Sequence, residues 1–390
     1  MVSSPGKPTL VIISSIHWHF TWQRHHDIAS GFAKLGYRVI FIEPIPKRWP
    51  TIKEILRVFR RVLKIGKGGG TFYQEVPENV TILSPLMVPD TSAFGDWLNQ
   101  IIFIPRFIQS HQAAFSGSDT VYLINYLPIP SSLHLQQALG PDVSAYDCVW
   151  DWSNDPKAPK MRLIEDLLIR NVSMVFADSP FLLNKMRAKH ETTHRVLPAV
   201  HYDLFADARH PGKPSNENQS EAIVGYFGNI GVNIDVDLLE KVSEMYPLRV
   251  IGPYPEEKSQ FSPNTTFVGP VPHRELPALL AEVDVLLLPY NRSAHLPAVI
   301  PAKTFECLAT GKPIVAIGLE SLREFEDYFY FSETDEEFLQ NIALALHEPL
   351  KNTNERLSLA KHNDWQSRIR KIESYFKALA INQQDFSQGN

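Results

Sequence analysis

Cysteine is nearly missing: two in 390 residues, Cys148 and Cys307, each inside an apolar run. Two such thiols build neither a disulfide framework nor a cysteine-ligated metal site, and they read as buried. Charge of either sign is not in excess. The formal net charge is −5, so nothing global points to a nucleic-acid partner. No apolar run is long enough to cross a bilayer and no charged-then-apolar leader opens the chain, so the expected location is the cytoplasm. Thirty prolines imply stiff loops rather than a disordered tail. With 44% hydrophobic and 21% charged residues, the composition is that of a globular protein, and the length suits two domains better than one core.

Short apolar runs alternate with helical spacing from the start. LVIISS (10–15) reads as a buried parallel strand, IASGFAKLG as a helix closing at Gly36, and YRVIFIEP as a second strand. That is a βαβ unit of Rossmann-like form without the glycine-rich fingerprint. The loop after the first strand carries His17, Trp18, His19, Trp22 and Arg24 instead. Ligands of open α/β sheets bind beyond the carboxyl ends of strands, so these five are candidates to hold an acceptor; the other reading is aromatic packing beneath a loop. Further alternation continues to HRVLPAV, giving a first domain over 1–205. In SAFGDWLNQIIFIPRFIQSH the spacing predicts a helix broken near Pro105. SAYDCVWDWSND is a strand running into a polar loop with Asp151, Ser153, Asn154 and Asp155 at its end. Asp155, just before Pro156, suits a helix cap, which leaves Asp151 as the candidate general base.

Residues 47–67, KRWPTIKEILRVFRRVLKIGK, differ from the rest: eight Lys/Arg and one Glu, with apolar residues at helical spacing. This is the pattern of a basic amphipathic helix on an anionic membrane surface, or of a core helix with a solvated basic face. A polar, proline- and glycine-containing stretch over 206–221 reads as a linker. The second domain, 222–363, again alternates strand and helix, and 364–385 carries an apolar helical stripe suited to a crossover helix. The Asp235-Val236-Asp237 triplet falls at a helix start, where capping explains it better than a metal, so no metal or cofactor is assigned.

The stretch NRSAHLPAVIPAKTFECLATGKPIVAIG (291–318) is the organising one. It reads as loop, helix from Pro301 to Thr310, and strand, with Lys303 and Glu306 on one face of the first helical turn. A lysine at a helix N-terminus suits a phosphate, and a carboxylate three residues on suits a ribose diol. An incidental surface ion pair is the alternative.

With both halves in view, the chain resembles GT-B glycosyltransferases, more narrowly those of bacterial teichuronic acid and exopolysaccharide biosynthesis, with features of xanthan-type glucuronosyltransferases. The resemblance runs through WQRHHDIASGFAKLGYRVIFIEP, YDCVWDWS, FADSPFLLNKM, VGYFGNIG, RVIGP, FVGPVPHRELPALLAEVDVLLLPY and IPAKTFECLATGKPIVA. It implies an α/β fold of GT-B type: two Rossmann-like parallel α/β domains with a cleft between them and a C-terminal helix docking across. It implies a nucleotide-diphosphate sugar as donor, UDP-sugar favoured, and a glycan or lipid-linked glycan as acceptor. Lys303 would meet the diphosphate and Glu306 the ribose. Gly228, Asn229 and Ile230 would line pyrophosphate and sugar, and Gly252, Pro253 and Tyr254 would lie beside the base, with Pro301 at the site's edge. Retaining members often carry two glutamates seven residues apart; Ala298 stands where the first would be. The resemblance therefore implies inversion, with Asp151 as base and no metal. A nucleotide-sugar epimerase of this architecture, or a non-catalytic nucleotide-sugar-binding partner, also fits the pattern.

Overall fold

A computed structural model describes residues 8–20, 22–46, 75–90, 92–118, 120–154, 161–209, 222–254, 261–292 and 298–388. The basic stretch 47–67, Asp155 and most of the expected linker lie outside them. The chain divides into two compact units. The first holds 1–177, 183–194 and 369–390; the second holds 178–182 and 195–368.

The first unit is built on a seven-stranded sheet, ordered β3-β2-β1-β4-β5-β6-β7. Its strands are β1 (Thr9–Ile13), β2 (Arg38–Ile42), β3 (Val80–Leu83), β4 (Val121–Asn125), β5 (Val143–Cys148), β6 (Met174–Ala177) and β7 (Thr193–Arg195). From β3 to β6 each neighbouring pair is parallel. β1 (TLVII) is buried at every position, as a strand covered on both faces must be. The order reverses between β1 and β4, so the loop after β1 emerges at the crevice where such sheets take ligands.

The helix expected to break at Pro105 does not break there. Helix Ala93–Leu98 passes through a π-helical turn, Asn99–Phe103, into helix Ile104–Ser110. Proline offers no N–H to the preceding turn, and a wider turn absorbs that mismatch without ending the helix. Asn99 pins the wide turn from the side. Its amide donates to Val88 O at 2.6 Å and Ser131 Oγ at 2.8 Å and accepts from Val88 N at 3.0 Å.

The second unit repeats the plan with six strands, ordered β10-β9-β8-β11-β12-β13. These are β8 (Val224–Phe227), β9 (Leu248–Ile251), β10 (Thr265–Gly269), β11 (Val285–Pro289), β12 (Ile314–Ile317) and β13 (Tyr330–Ser332), all paired in parallel. Its reversal lies between β8 and β11. The main segment of the second unit begins at Arg195, ahead of the expected linker, and Phe205 and Ala208 are buried in its core. Asp235 caps helix Val236–Met245, accepting from Leu238 N at 3.0 Å.

The terminal helix, Trp365–Gln388, counts with the second unit through Arg368 and with the first from Ile369. Its apolar stripe is spent inside the first unit. Phe376 is fully buried and stacks on Tyr122 at 4.8 Å, Tyr375 stacks on His194 at 3.8 Å, and Glu373 accepts from Tyr37 Oη at 2.9 Å.

Candidate functional site

In the second unit the carboxyl ends of β8 and β9 approach each other closely. Gly228 and Gly252 sit there with φ of +117° and +132°, a region L side chains rarely adopt. A Cβ on Gly252 would lie 2.4 Å from Gly228 O, so no larger residue fits between these strand ends. Ile230 N donates to Pro253 O at 2.9 Å and Gly252 N to Gly269 O at 2.9 Å, which ties the two loops to β10. Tyr226 Oη donates to Asn229 O at 2.9 Å and fixes the tip of the first loop.

The short helix Thr304–Thr310 begins later than its sequence spacing suggests. Lys303 is its N-cap, and Pro301 lies in the preceding turn, its carbonyl accepting from Thr304 N at 2.9 Å. Lys303 Nζ crosses to the end of β8, donating to Phe227 O at 2.5 Å and lying 4.2 Å from the centre of the Tyr226 ring. A Cβ on Gly228 would fall 2.6 Å from Nζ, so this glycine is also what lets the ammonium reach the strand end. Burial pushes the Lys303 pKa down to about 8, the neighbouring Cys307 and Glu306 opposing weakly. One helical turn on, Glu306 is held by His273, with Nε2 to Oε1 at 2.8 Å. Tyr254 packs on Phe267, ring centres 4.6 Å apart.

Thus Gly228, Asn229, Ile230, Gly252, Pro253 and Lys303 come together at one sheet mouth, with Glu306 one turn further along the same helix. An ammonium beside two glycine turns that carry no side chain can hold a diphosphate, and a carboxylate nearby can accept from two hydroxyls. Ala298 is buried and supplies no carboxylate. His273 went unnoticed in the sequence because PHREL reads as the start of a helix; only the fold brings it opposite Glu306.

The loop after β1 in the first unit is distributed differently from the expected contact surface. His17 and His19 are exposed. Trp18 is fully buried, its ring edge-on to Phe41 at 5.0 Å and to His26 at 5.1 Å. It is a packing residue, which corrects its assignment as an acceptor contact. Trp22 stacks on His26 at 5.0 Å and donates from Nε1 to Asp27 at 2.6 Å. His26 welds the loop, its Nδ1 accepting from Gln23 N at 3.1 Å and its Nε2–H donating to Trp18 O at 2.9 Å. Those partners require the neutral ring, and burial lowers its pKa accordingly. Arg24 is committed to buried Asp147 of β5 through two bonds of 2.7 and 2.9 Å. Glu43, at the end of β2, accepts from Trp18 N at 3.1 Å and Ser84 Oγ at 2.6 Å and faces His17 at 3.4 Å. Burial alone would raise its pKa, but these bonds bring it down to about 2.

Asp151 is buried at the end of β5. Its Oδ1 accepts from Lys185 Nζ at 2.5 Å, Ser153 Oγ at 2.6 Å and Ser153 N at 3.1 Å. Burial pushes its pKa up, and the Lys185 and Ser153 bonds outweigh burial, so the carboxyl is held below its ordinary value. Glu165 lies 3.8 Å from the same ammonium and accepts from Tyr146 Oη at 2.8 Å.

A family model described as glycosyl transferase-like matches residues 236–374. A Bacillus subtilis (strain 168) protein assigned as the teichuronic acid biosynthesis glycosyltransferase TuaH is 24% identical over 285 residues, covering 65% of this chain and 70% of its own. Among solved structures, an α,α-trehalose-phosphate synthase (UDP-forming) from Burkholderia vietnamiensis superposes with a TM-score of 0.65 at 9% identity, covering 97% of this chain and 98% of that one. The S. aureus TarM G117R mutant, solved with fondaparinux, α-GlcNAc-glycerol and UDP, superposes at 0.57 and 8% identity, covering 96% and 99%. These likenesses establish the shared GT-B architecture.

Proposed function

We propose, for a chain that is a glycosyltransferase of the GT-B fold, that its second unit binds a UDP-sugar and that the sugar is passed to a glycan or lipid-linked glycan of a bacterial surface polysaccharide. The observation that carries this is the Lys303 ammonium set against the carboxyl end of β8 at Gly228, with Glu306 one turn away. The UDP named with two of the structural neighbours supports uridine as the base. The first unit then supplies the acceptor-side groups, with His17 and His19 among the exposed residues of its β1 loop.

Transfer proceeds here by inversion. Asp151 takes the proton of the acceptor hydroxyl, the hydroxyl oxygen bonds to the anomeric carbon, and the bond to the diphosphate oxygen breaks. Lys303 meets the negative charge that gathers on that leaving diphosphate.

The depressed lysine gives a direct test. Diphosphate binding requires the ammonium, so UDP affinity measured by calorimetry is expected to hold steady below pH 8 and to fall, at most tenfold per unit, as pH rises past about 8. Near pH 8 and above, binding should also take up protons, seen as an enthalpy that depends on the buffer. Affinity unchanged from pH 7 to 9.5 rejects Lys303 as the diphosphate ligand.

The same reading places the enzyme at the inner face of the cell membrane through the basic stretch 47–67. No helix among the described residues is long and apolar enough to cross a membrane. Co-sedimentation with anionic liposomes is expected to be strong in low salt, to weaken as salt rises, and to drop when Arg57, Arg60 and Arg61 are neutralised together. Equal recovery of that variant and the wild type with the vesicles refutes membrane attachment by this stretch.

A further inference from the structure

Glu306 has a single hydrogen-bond partner among the described residues, and it is His273. The two come from different parts of the second unit. His273 opens the turn His273–Glu275 that follows β10, while Glu306 lies on helix Thr304–Thr310. The imidazole is seated edge-on against Phe205, ring centres 6.0 Å apart, and Phe205 is fully buried. Its position is therefore set by the Phe205 ring as well as by the carboxylate it meets. Both side chains remain partly open to solvent, 34% for His273 and 21% for Glu306, so a ligand can reach the pair.

A glutamate has three rotatable bonds, and a solvent-facing one loses that freedom when it binds. An imidazole N–H on Oε1 removes part of that loss in advance and leaves Oε2 able to accept from a ligand. A diol needs two acceptor positions at a defined spacing, so it gains from this; a bare diphosphate, which meets Lys303, does not. Resting on the reading of this mouth as a nucleoside-diphosphate site, we propose that His273 is a positioning residue that presents Glu306 to the 2′- and 3′-hydroxyls of the donor ribose, and so makes the site select ribonucleotides.

The experiment is calorimetric titration of the full chain with three probes: UDP, 2′,3′-dideoxy-UDP and inorganic pyrophosphate. Wild type is expected to bind UDP more tightly than the dideoxy analogue. His273→Ala should weaken UDP about three- to tenfold and leave dideoxy-UDP and pyrophosphate unchanged, so that the preference for the ribose diol shrinks. His273→Gln, whose amide N–H can take the place of Nε2–H, should recover part of the loss. In a Glu306→Gln background the His273→Ala change should have little further effect. Pyrophosphate binding by each variant shows that the site is folded. If His273→Ala weakens UDP and the dideoxy analogue alike, or neither, or if His273→Gln behaves as His273→Ala does, the positioning role is overturned. A wild type that binds none of the probes overturns the nucleotide reading itself, and one that binds UDP and the dideoxy analogue equally overturns the diol contact while leaving Lys303 in place.

Discussion

Lys303→Met is expected to melt several degrees above the wild type and yet to lose transfer by about a hundredfold to a thousandfold. The two effects share one cause. Burial lowers the Lys303 pKa from 10.5 to about 8, so at neutral pH the folded chain carries a charged group that water would hold more comfortably. A shift of that size corresponds to roughly 3 kcal/mol at most, partly offset by the bond to Phe227 O and the contact with the Tyr226 ring. The sign follows from proton binding. Between pH 8 and 10.5 the unfolded chain holds more protons at this lysine than the folded one, so the wild type gains stability as pH climbs through that window. Below it the cost is present in full. Methionine keeps the stem and removes the charge, so the variant should be more stable at pH 7 and should lack that rise. The leaving diphosphate, however, loses the cation that stabilises its developing charge, an effect commonly about a hundredfold to a thousandfold on turnover. Melting curves from pH 7 to 10 and single-turnover rates read the two halves separately. A variant that is less stable and fully active contradicts both.

Asp151→Asn is expected to lower turnover by about a hundredfold to ten-thousandfold while UDP affinity stays within twofold of the wild type. The product of the wild type should carry the inverted anomeric configuration. The Lys185 pair makes a finer version possible. Because the ammonium 2.5 Å away holds the Asp151 carboxyl below its ordinary pKa, the wild type should keep its rate well into acid. Lys185→Met removes that hold and leaves burial, which acts in the opposite direction. The acidic limb of the turnover profile should then move to higher pH by about a unit or more. If the limb stays where it was while Asp151→Asn is inactive, Asp151 serves to order the loop after β5 and another group is the base.

Much of this architecture could be read from the chain, because buried parallel strands announce themselves as short apolar runs and the helices between them keep their spacing. That Lys303 and Glu306 stand one turn apart was legible for a similar reason: both lie on one local element. The partners were not legible, since they come from elsewhere in the chain. Arg24 meets Asp147 across 123 residues, so an arginine that suited an acceptor turns out to be spent on a buried pair. Lys185 lay hidden in the helix Pro180–Arg187 until the fold carried it to Asp151. Trp18 looked available in a loop rich in rings, but Phe41 and His26 enclose it. Phe205 moved the start of the second unit forward, because one buried aromatic outweighs the polar residues that follow it. Pro105 suggested a break that a π-turn avoids, and no helical periodicity reveals that turn.

The central claim is that one mouth, at the carboxyl end of β8, takes a nucleoside diphosphate. A crystal structure of the protein with UDP tests it most directly. The account expects diphosphate oxygens within hydrogen-bond distance of Lys303 Nζ, against the Gly228 and Gly252 turns, with the ribose hydroxyls on Glu306. UDP found elsewhere on the chain, or an empty mouth at millimolar UDP, would contradict it.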